Sequence, residues 1–575
     1  MKYKPRSYIV VLLMAFVLIA GCSSNNSNSP TNAPKATDAA TKAPTDAPAA
    51  DPNTPKDGGT LTISTFSDIV SVNPLFVQDT ASGDAENFLF SKLYDLDRDG
   101  NVIAEPWSLA SEPPAISEDG KTYTVKLKNS AKWSDGTPVT ADDIIFSINA
   151  TINPDVGSPG ISNFDKVDKL DKVDDHTVNI TLKQVYAPFA YSLTFRPAPN
   201  HILKDVNPKE LQKHVFGKDP AQTVTNGPWK WTEWKEAQYL TFEAYPEYWS
   251  EVKPHIQKVV YKIYADQNTE VQALIKGDVD TTLAIPITQL AAIEGNDKIN
   301  VIKGRNATYE YINFSFNKDN FPNKVVPFES QKSRQAIAYA LNRQGMVDNV
   351  LKGYGYLMNS PFLPGSWADP GDKAINYGYD PEKAKALLAE DGWVAGKDGI
   401  VVKDGVRFSF ELQYNSGNSR REAVSQIIQQ NLKDVGIEVK PKAMEFSTWI
   451  DQNLTPGKFP AVLLGWSMDS PDPNQESIFS SKYFPPTGQN SGWYKNEKLD
   501  KLWVDGYSVV DQAERKKIYD VVAEEISADL PYVFLYQYGN PQGIGPKVKY
   551  AEEDAPEPSH QNGYFFHIIK WWIAE

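Results

Sequence analysis

The sequence predicts a large α/β protein of several domains. Three observations lead there. Segments with period-two alternation are interleaved with segments of helical spacing. The 575 residues allow about three to five domains at roughly 100–200 residues each, and 41% hydrophobic content is enough for sizeable cores. The single cysteine excludes an internal disulfide, and with it zinc sites of four cysteines or of two cysteines and two histidines. A formal charge of -15 argues against a nucleic-acid surface, which needs clustered Lys and Arg.

The elements follow in chain order. Lys2, Lys4 and Arg6 precede an apolar run from Ile9 to Ala20. As a helix that run spans about 18 Å, short of a ~30 Å hydrocarbon core but suited to the apolar region of a signal peptide. It ends in Ile19-Ala20-Gly21-Cys22, which resembles the lipobox of bacterial lipoproteins. That resemblance implies cleavage before Cys22, a lipid on its thiol, and a place on the outer face of the cytoplasmic membrane. Ser23 to Gly58 contains Pro30, Pro34, Pro44, Pro48, Pro52 and Pro55 and almost nothing apolar larger than Ala. Such a stretch cannot offset its ordering entropy by burial and reads as a semi-extended tether.

From Gly59 onward the composition is globular. Thr122 to Lys128 alternates with Tyr123, Val125 and Leu127 on one face, a half-buried strand. After an Asp135-Gly136 turn, Thr140 is placed to cap a helix from Ala141, with Asp143 three residues on and Val139 able to staple against Ile144. Asp380-Pro381 starts a helix that runs through Leu387 and Leu388 to Gly392. Val406 to Leu412 alternates as a strand. Val424, Ile427, Ile428 and Leu432 then mark one helix face before Ile437-Glu438-Val439 turns extended again.

Catalytic templates are missing. There is no G-x-S-x-G elbow, and none of the six histidines opens an H-E-x-x-H pair. Gly120-Lys121-Thr122 has the tail of a phosphate loop but leads into a strand and reads as a turn. Asp142-Asp143 reads as helix N-terminal charge rather than an acid/base pair. The aromatic load, 14 Trp, 28 Tyr and 25 Phe, exceeds what the templates explain. Most of it belongs in the core, and Trp229, Trp231, Trp234 and Trp466 are candidates to hold a ligand between stiff surfaces.

The run from Glu118 to Asp143, including Ala131-Lys132-Trp133-Ser134-Asp135-Gly136-Thr137-Pro138-Val139, resembles the signature of family 5 extracellular solute-binding proteins. Asn226-Gly227-Pro228-Trp229, Leu274-Ile275-Lys276-Gly277-Asp278-Val279-Asp280, Ser333-Arg334-Gln335-Ala336-Ile337 and Gly465-Trp466-Ser467-Met468-Asp469 through Pro473 agree in order. The resemblance implies a bilobal periplasmic-binding-protein-like fold, type II and cluster C, with three interleaved domains. Domain I would take 59–95, 218–305 and 538–575, domain II 96–217, and domain III 306–537, after a signal peptide over 1–21 and a tether over 22–58.

It also implies a monomer that captures an oligopeptide or dipeptide in an interdomain cleft for the permease subunits of an ABC importer, with no catalysis, cofactor or metal. Asp469 matches the aspartate that pairs with a peptide α-ammonium in relatives, and Trp466, Ser467 and Met468 would line the cleft. Gln78, Asp79 and Thr80 match the opposing edge in position. Three alternatives stay open: an oligosaccharide or metal-chelate ligand, a surface hydrolase, and a signalling role. For Asp469 the plain alternative is a turn residue before Ser470-Pro471. No arginine stands just before Trp466, so the carboxylate end of a peptide has no assigned partner. Arg305, Arg420 and Arg421 are candidates by charge alone and read as solvated.

Overall fold

The computed structural model describes residues 54–574 apart from positions 66, 78, 265, 323, 417, 445–448, 469, 486–487 and 557–562. The expected signal peptide, Cys22 and most of the tether therefore lie outside the described residues, as do Gln78 and Asp469. At the tether's end, Gly58 N–H donates to the His255 carbonyl at 2.8 Å, and the Asp57 carboxylate lies 2.7 Å from His255 Nδ1.

The N-terminal lobe is built on a seven-stranded sheet drawn from three distant stretches of chain. Thr60–Thr65 pairs in parallel with Lys258–Ile263, which continues antiparallel to Tyr239–Ala244 and Trp229–Lys235. On the other side stand Thr281–Thr282, Gln542–Ile544 and Asn300–Ile302. Period-two burial in the first strand puts Leu61 and Ile63 inside. Phe88, on the helix Thr80–Leu89, meets Trp229 edge-on at 5.4 Å, stacks on Phe242 at 5.4 Å and touches Phe565 at 5.1 Å.

Trp229 and Trp231 are thus core residues, 0% and 4% exposed, rather than walls for a ligand. Trp234, half-buried, is tied to Asp68 by its indole N–H at 3.1 Å. A four-stranded antiparallel sheet with Thr122–Lys126 near its middle shares this hydrophobic core. The helix Ala141–Ile152 packs on it and starts as the sequence predicts, with Asp143 accepting from Thr140 N–H at 2.8 Å. The other Asp143 oxygen accepts from Asn200 N–H at 2.8 Å, so this acid is structural.

The second lobe holds a six-stranded sheet in the order Gly355–Leu357, Tyr532–Tyr538, Thr308–Phe314, Ala461–Ser467, Ser409–Asn415, Glu438–Met444. Both faces are covered. Val533 and Leu535 join one buried cluster, while Tyr532 and Phe534 join the other. The strand predicted over Val406–Leu412 is split. Val406–Arg407 belongs to a small three-stranded sheet, and Ser409 starts the main strand, because fully buried Phe408 carries the chain from one sheet to the other. Ser409–Asn415, the helix Ser419–Lys433 and Glu438–Met444 form a β-α-β unit with a parallel pair. The helix Pro381–Glu390 starts at the Asp380 cap and stops short of Gly392.

The chain crosses between the lobes twice, over 303–307 and 539–541. The crossings lie against each other: Gln537 donates to the Asn306 carbonyl at 3.0 Å, and Asn540 N–H donates to Asn306 Oδ1 at 3.2 Å. A Cβ on Gly539 would stand 2.0 Å from the Gly304 carbonyl oxygen, which is backbone and cannot yield cheaply. Gly539→Val should therefore destabilise the chain by ~1–3 kcal/mol through overpacking at the crossing. A chemical-denaturation midpoint equal to wild type would show that the crossings have room to part.

The lobes also meet away from the crossings. Ala187 N–H donates to the Tyr507 carbonyl at 2.8 Å, and Tyr186 packs edge-on against the Tyr507 ring at 5.5 Å.

Candidate functional site

Ala461–Ser467 is the strand that carries the late sequence motif, and its register shows what it offers. It pairs antiparallel with Thr308–Phe314, with Trp466 opposite Tyr309 and Ser467 opposite Thr308. Met468 N–H donates to the Ala307 carbonyl at 2.7 Å. Bonded and non-bonded pairs alternate along an antiparallel ladder, so the backbone groups of Gly465 and Ser467 point to the strand's other edge. There Ser409–Asn415 matches it only at Ala461 and Val462. From Leu463 to Ser467 no strand is paired with that edge among the described residues, although the neighbouring strand runs on to Asn415 and Leu463 is buried.

Ser467 is exposed, while Trp466 and Met468 are half-buried. The Trp466 ring stacks on Tyr311 at 6.3 Å and 18°, and Tyr311 stacks on Tyr532 at 4.3 Å. This row of rings fixes Trp466 at the end of an aromatic layer. Met468 has committed its N–H to Ala307, so its carbonyl and thioether are what it has left to present. Asp79 caps the helix Thr80–Leu89 by accepting from Ser82 N–H at 2.8 Å, and Thr80 opens the helix exposed to solvent. The capping bond uses one carboxylate oxygen.

Beside the open edge lies a charge cluster that local sequence does not reveal. Glu310, fully buried on the central strand, accepts from Arg420 at 2.8 and 3.1 Å, from Arg421 Nε at 2.7 Å and from the Tyr536 hydroxyl at 3.1 Å. Burial by itself raises a carboxyl, but the two guanidinium groups outweigh it and hold Glu310 below its ordinary value. Arg420 also lies over the Tyr538 ring at 3.8 Å, and Arg421 reaches Asn415 Oδ1 at 2.6 Å.

Neither arginine is the solvated surface group expected from sequence: their side chains are 23% and 9% exposed. Two cations share one anion, leaving a net charge of about +1 beside the strand edge. A Cβ on Gly465 would come within 3.0 Å of Arg421 Nη2 and 2.9 Å of the Tyr309 carbonyl, which explains the glycine. Arg305 packs over Tyr356 at 4.0 Å, next to the crossing.

The loop that leaves this edge is also anchored by charge. Asp472 and Arg515, each 4% exposed, pair at 2.7 Å, and Arg515 holds the Gly506 carbonyl and the Tyr519 hydroxyl as well. Gln475 ties the loop to Tyr309 at 2.9 Å and to the Pro361 carbonyl at 2.7 Å. Among the described residues no group of three or more His, Cys, Asp or Glu could hold a metal ion. No described helix is long and apolar enough to cross a membrane.

The model of "Bacterial extracellular solute-binding proteins, family 5 Middle" matches residues 104–484, about two thirds of the chain. The chain belongs to this family. Among family 5 relatives, the oligopeptide-binding protein AppA of Bacillus subtilis (strain 168) is 32% identical, over 98% of each chain. The solved structure of the B. subtilis AppA in complex with a nonapeptide aligns with TM-score 0.69 and 33% identity, covering 91% of this chain and all of that one. The ABC transporter substrate-binding protein CtaP of Listeria monocytogenes aligns with TM-score 0.76 and 27% identity, over 90% of this chain and all of its own. The bilobal family 5 fold is thus the fold of this chain.

Proposed function

We propose that this family 5 protein is a lipid-anchored binding protein that holds a peptide along the open edge at Leu463–Ser467 and delivers it to an ABC importer, without catalysis. The observation that carries this reading is a strand edge with outward backbone groups beside a cluster of surplus positive charge. Main-chain pairing with an added strand tolerates many side chains, and an extended ligand needs a partner for each charged end. Asp469 would take the α-ammonium, Trp466 and Ser467 the first residues, and Arg420 the carboxylate. Gln78, Asp79 and Thr80 would face the ligand from the other lobe. The nonapeptide complex of AppA supports the ligand class, and the likeness to CtaP, an ABC transporter substrate-binding protein, supports the transport role.

The proposed division into domain I (59–95, 218–305, 538–575), domain II (96–217) and domain III (306–537) agrees with a first sheet drawn from distant stretches. Ligand contact with both lobes would favour the closed arrangement. Cys22 would keep the protein at the membrane.

Titration calorimetry of the full chain with a peptide pool, its N-acetylated counterpart and its amidated counterpart tests the reading. Asp469→Ala and acetylation should each weaken binding by ~10–100-fold, the worth of a charge-assisted hydrogen bond. Amidation and Arg420→Gln should weaken it by a similar factor. Binding indifferent to all four changes would remove both end assignments, and absence of any peptide binding would remove the ligand class.

A further inference from the structure

Under the helix Thr80–Leu89 lies a cavity of about 300 Å³ whose lining includes no residue of 306–537, the stretch that carries the strand edge. Its wall comes from that helix and the turn after it, from Arg196, from Trp107 and from the C-terminal stretch 563–569. Charged groups of both signs line it, among them Asp84, Asp95, Lys92 and Arg196. Arg196 Nη2 donates to Asn87 Oδ1 at 2.7 Å and its Nη1 stands 3.6 Å from Glu86 Oε2, while Lys92 Nζ stands 3.7 Å from Asp95 Oδ1, both ion pairs longer than a hydrogen bond. The Asp84 carboxylate, one helical turn before Asn87, also lines the cavity and makes no hydrogen bond or ion pair with any described residue. Its neighbours are the hydroxyls of Tyr261 and Tyr564, which its charge disfavours as anions.

A carboxylate lining a cavity without a counter-charge is costly. Burial, helped by Asp79, pushes the Asp84 carboxyl up to about 7, and burial pulls Lys92 down from its ordinary value. A guest ammonium would supply the counter-charge that Asp84 lacks, and a guest carboxylate would take the N–H groups that Asp95 and Glu86 hold only at ion-pair distance. The volume sits at the low end of small-molecule pockets, too small for a long peptide, and the Trp107 ring adds an apolar wall.

We propose that this cavity is a second binding site, separate from the strand edge, for a small zwitterion of amino-acid or dipeptide size, with its ammonium on Asp84 and its carboxylate on Lys92 and Arg196. The proposal does not depend on peptide binding at the edge.

Calorimetry of the full chain with leucine and with glycyl-leucine tests it, alongside N-acetyl-leucine and leucine amide. Saturable binding of one equivalent is expected, at least tenfold weaker when either end of the probe is blocked. Asp84→Asn and Lys92→Met should each weaken it at least tenfold, while Trp466→Ala at the strand edge leaves it unchanged. No binding at millimolar probe would mean the cavity holds water only and would overturn the proposal. So would binding lost in Trp466→Ala but kept in Asp84→Asn, which would place the probe at the edge. If Asp84→Asn fails to fold, the blocked probes on the wild-type chain and Lys92→Met still decide the matter.

Discussion

Glu310→Ala is expected to lower the stability of the folded chain by ~3–5 kcal/mol, the cost of leaving two poorly solvated guanidinium groups without their shared anion. The side chain is fully buried on the central strand of the second lobe and receives four hydrogen bonds from Arg420, Arg421 and Tyr536. Arg420→Gln should cost much less, about 1–2 kcal/mol, because Arg421 and Tyr536 still hold the carboxylate. Urea titration followed by tryptophan fluorescence reads both. The pH dependence has a definite sign. The carboxyl is held lower in the folded chain than its ordinary value, so its contribution is complete above the ordinary carboxyl range and is lost as pH falls through the lower folded value. Wild type should therefore lose stability more steeply than Glu310→Gln in that acid window. A Glu310→Ala shift below 1 kcal/mol would mean that the arginines find other anions or water.

Asp472→Ala should cost a comparable ~3–5 kcal/mol, since Arg515, 4% exposed, would keep its charge and lose its counter-ion. The double variant Asp472→Ala with Arg515→Met should recover part of that loss, because removing both charges leaves nothing buried and unpaired. A double variant as unstable as the sum of the two single losses would show that the pair matters for its shape rather than its charge. The effect should also reach the second contact between the lobes. Arg515 holds the carbonyl of Gly506, next to Tyr507, whose own carbonyl receives the Ala187 N–H of the other lobe. Small-angle scattering should then report a larger radius of gyration for Asp472→Ala in the absence of ligand.

The local signals in the sequence survive contact with the structure. Thr140 with Asp143 and Asp380 with Pro381 mark helix starts because a cap bonds within three or four residues, so the information sits in adjacent positions. The Val424, Ile428 and Leu432 stripe is buried for the same reason. The run Val406–Leu412 has a strand's period but gives no sign that Phe408 divides it between two sheets, since that choice is made by tertiary packing. At the site, Trp466, Ser467 and Met468 come from the motif and its family resemblance. The open edge beside them depends on where Ser409–Asn415 stops pairing, which no local pattern encodes. Glu310 is 110 positions from Arg420, and its strand reads like any buried alternation with one charge out of place. That misplaced charge is the one clue the sequence holds to the cluster.

The seven-stranded sheet sets the order in which the chain can finish folding. Gln542–Ile544 lies between Asn300–Ile302 and Thr281–Thr282. As the chain emerges from its N-terminus, the first lobe therefore waits with two strand edges uncovered, while 306–538 already contains every strand of the second sheet. Pairing across such sequence separations is slow, and uncovered edges invite association with other chains. The lobe that begins first is completed last, and the interval between the two is when a newly made molecule is most exposed to aggregation.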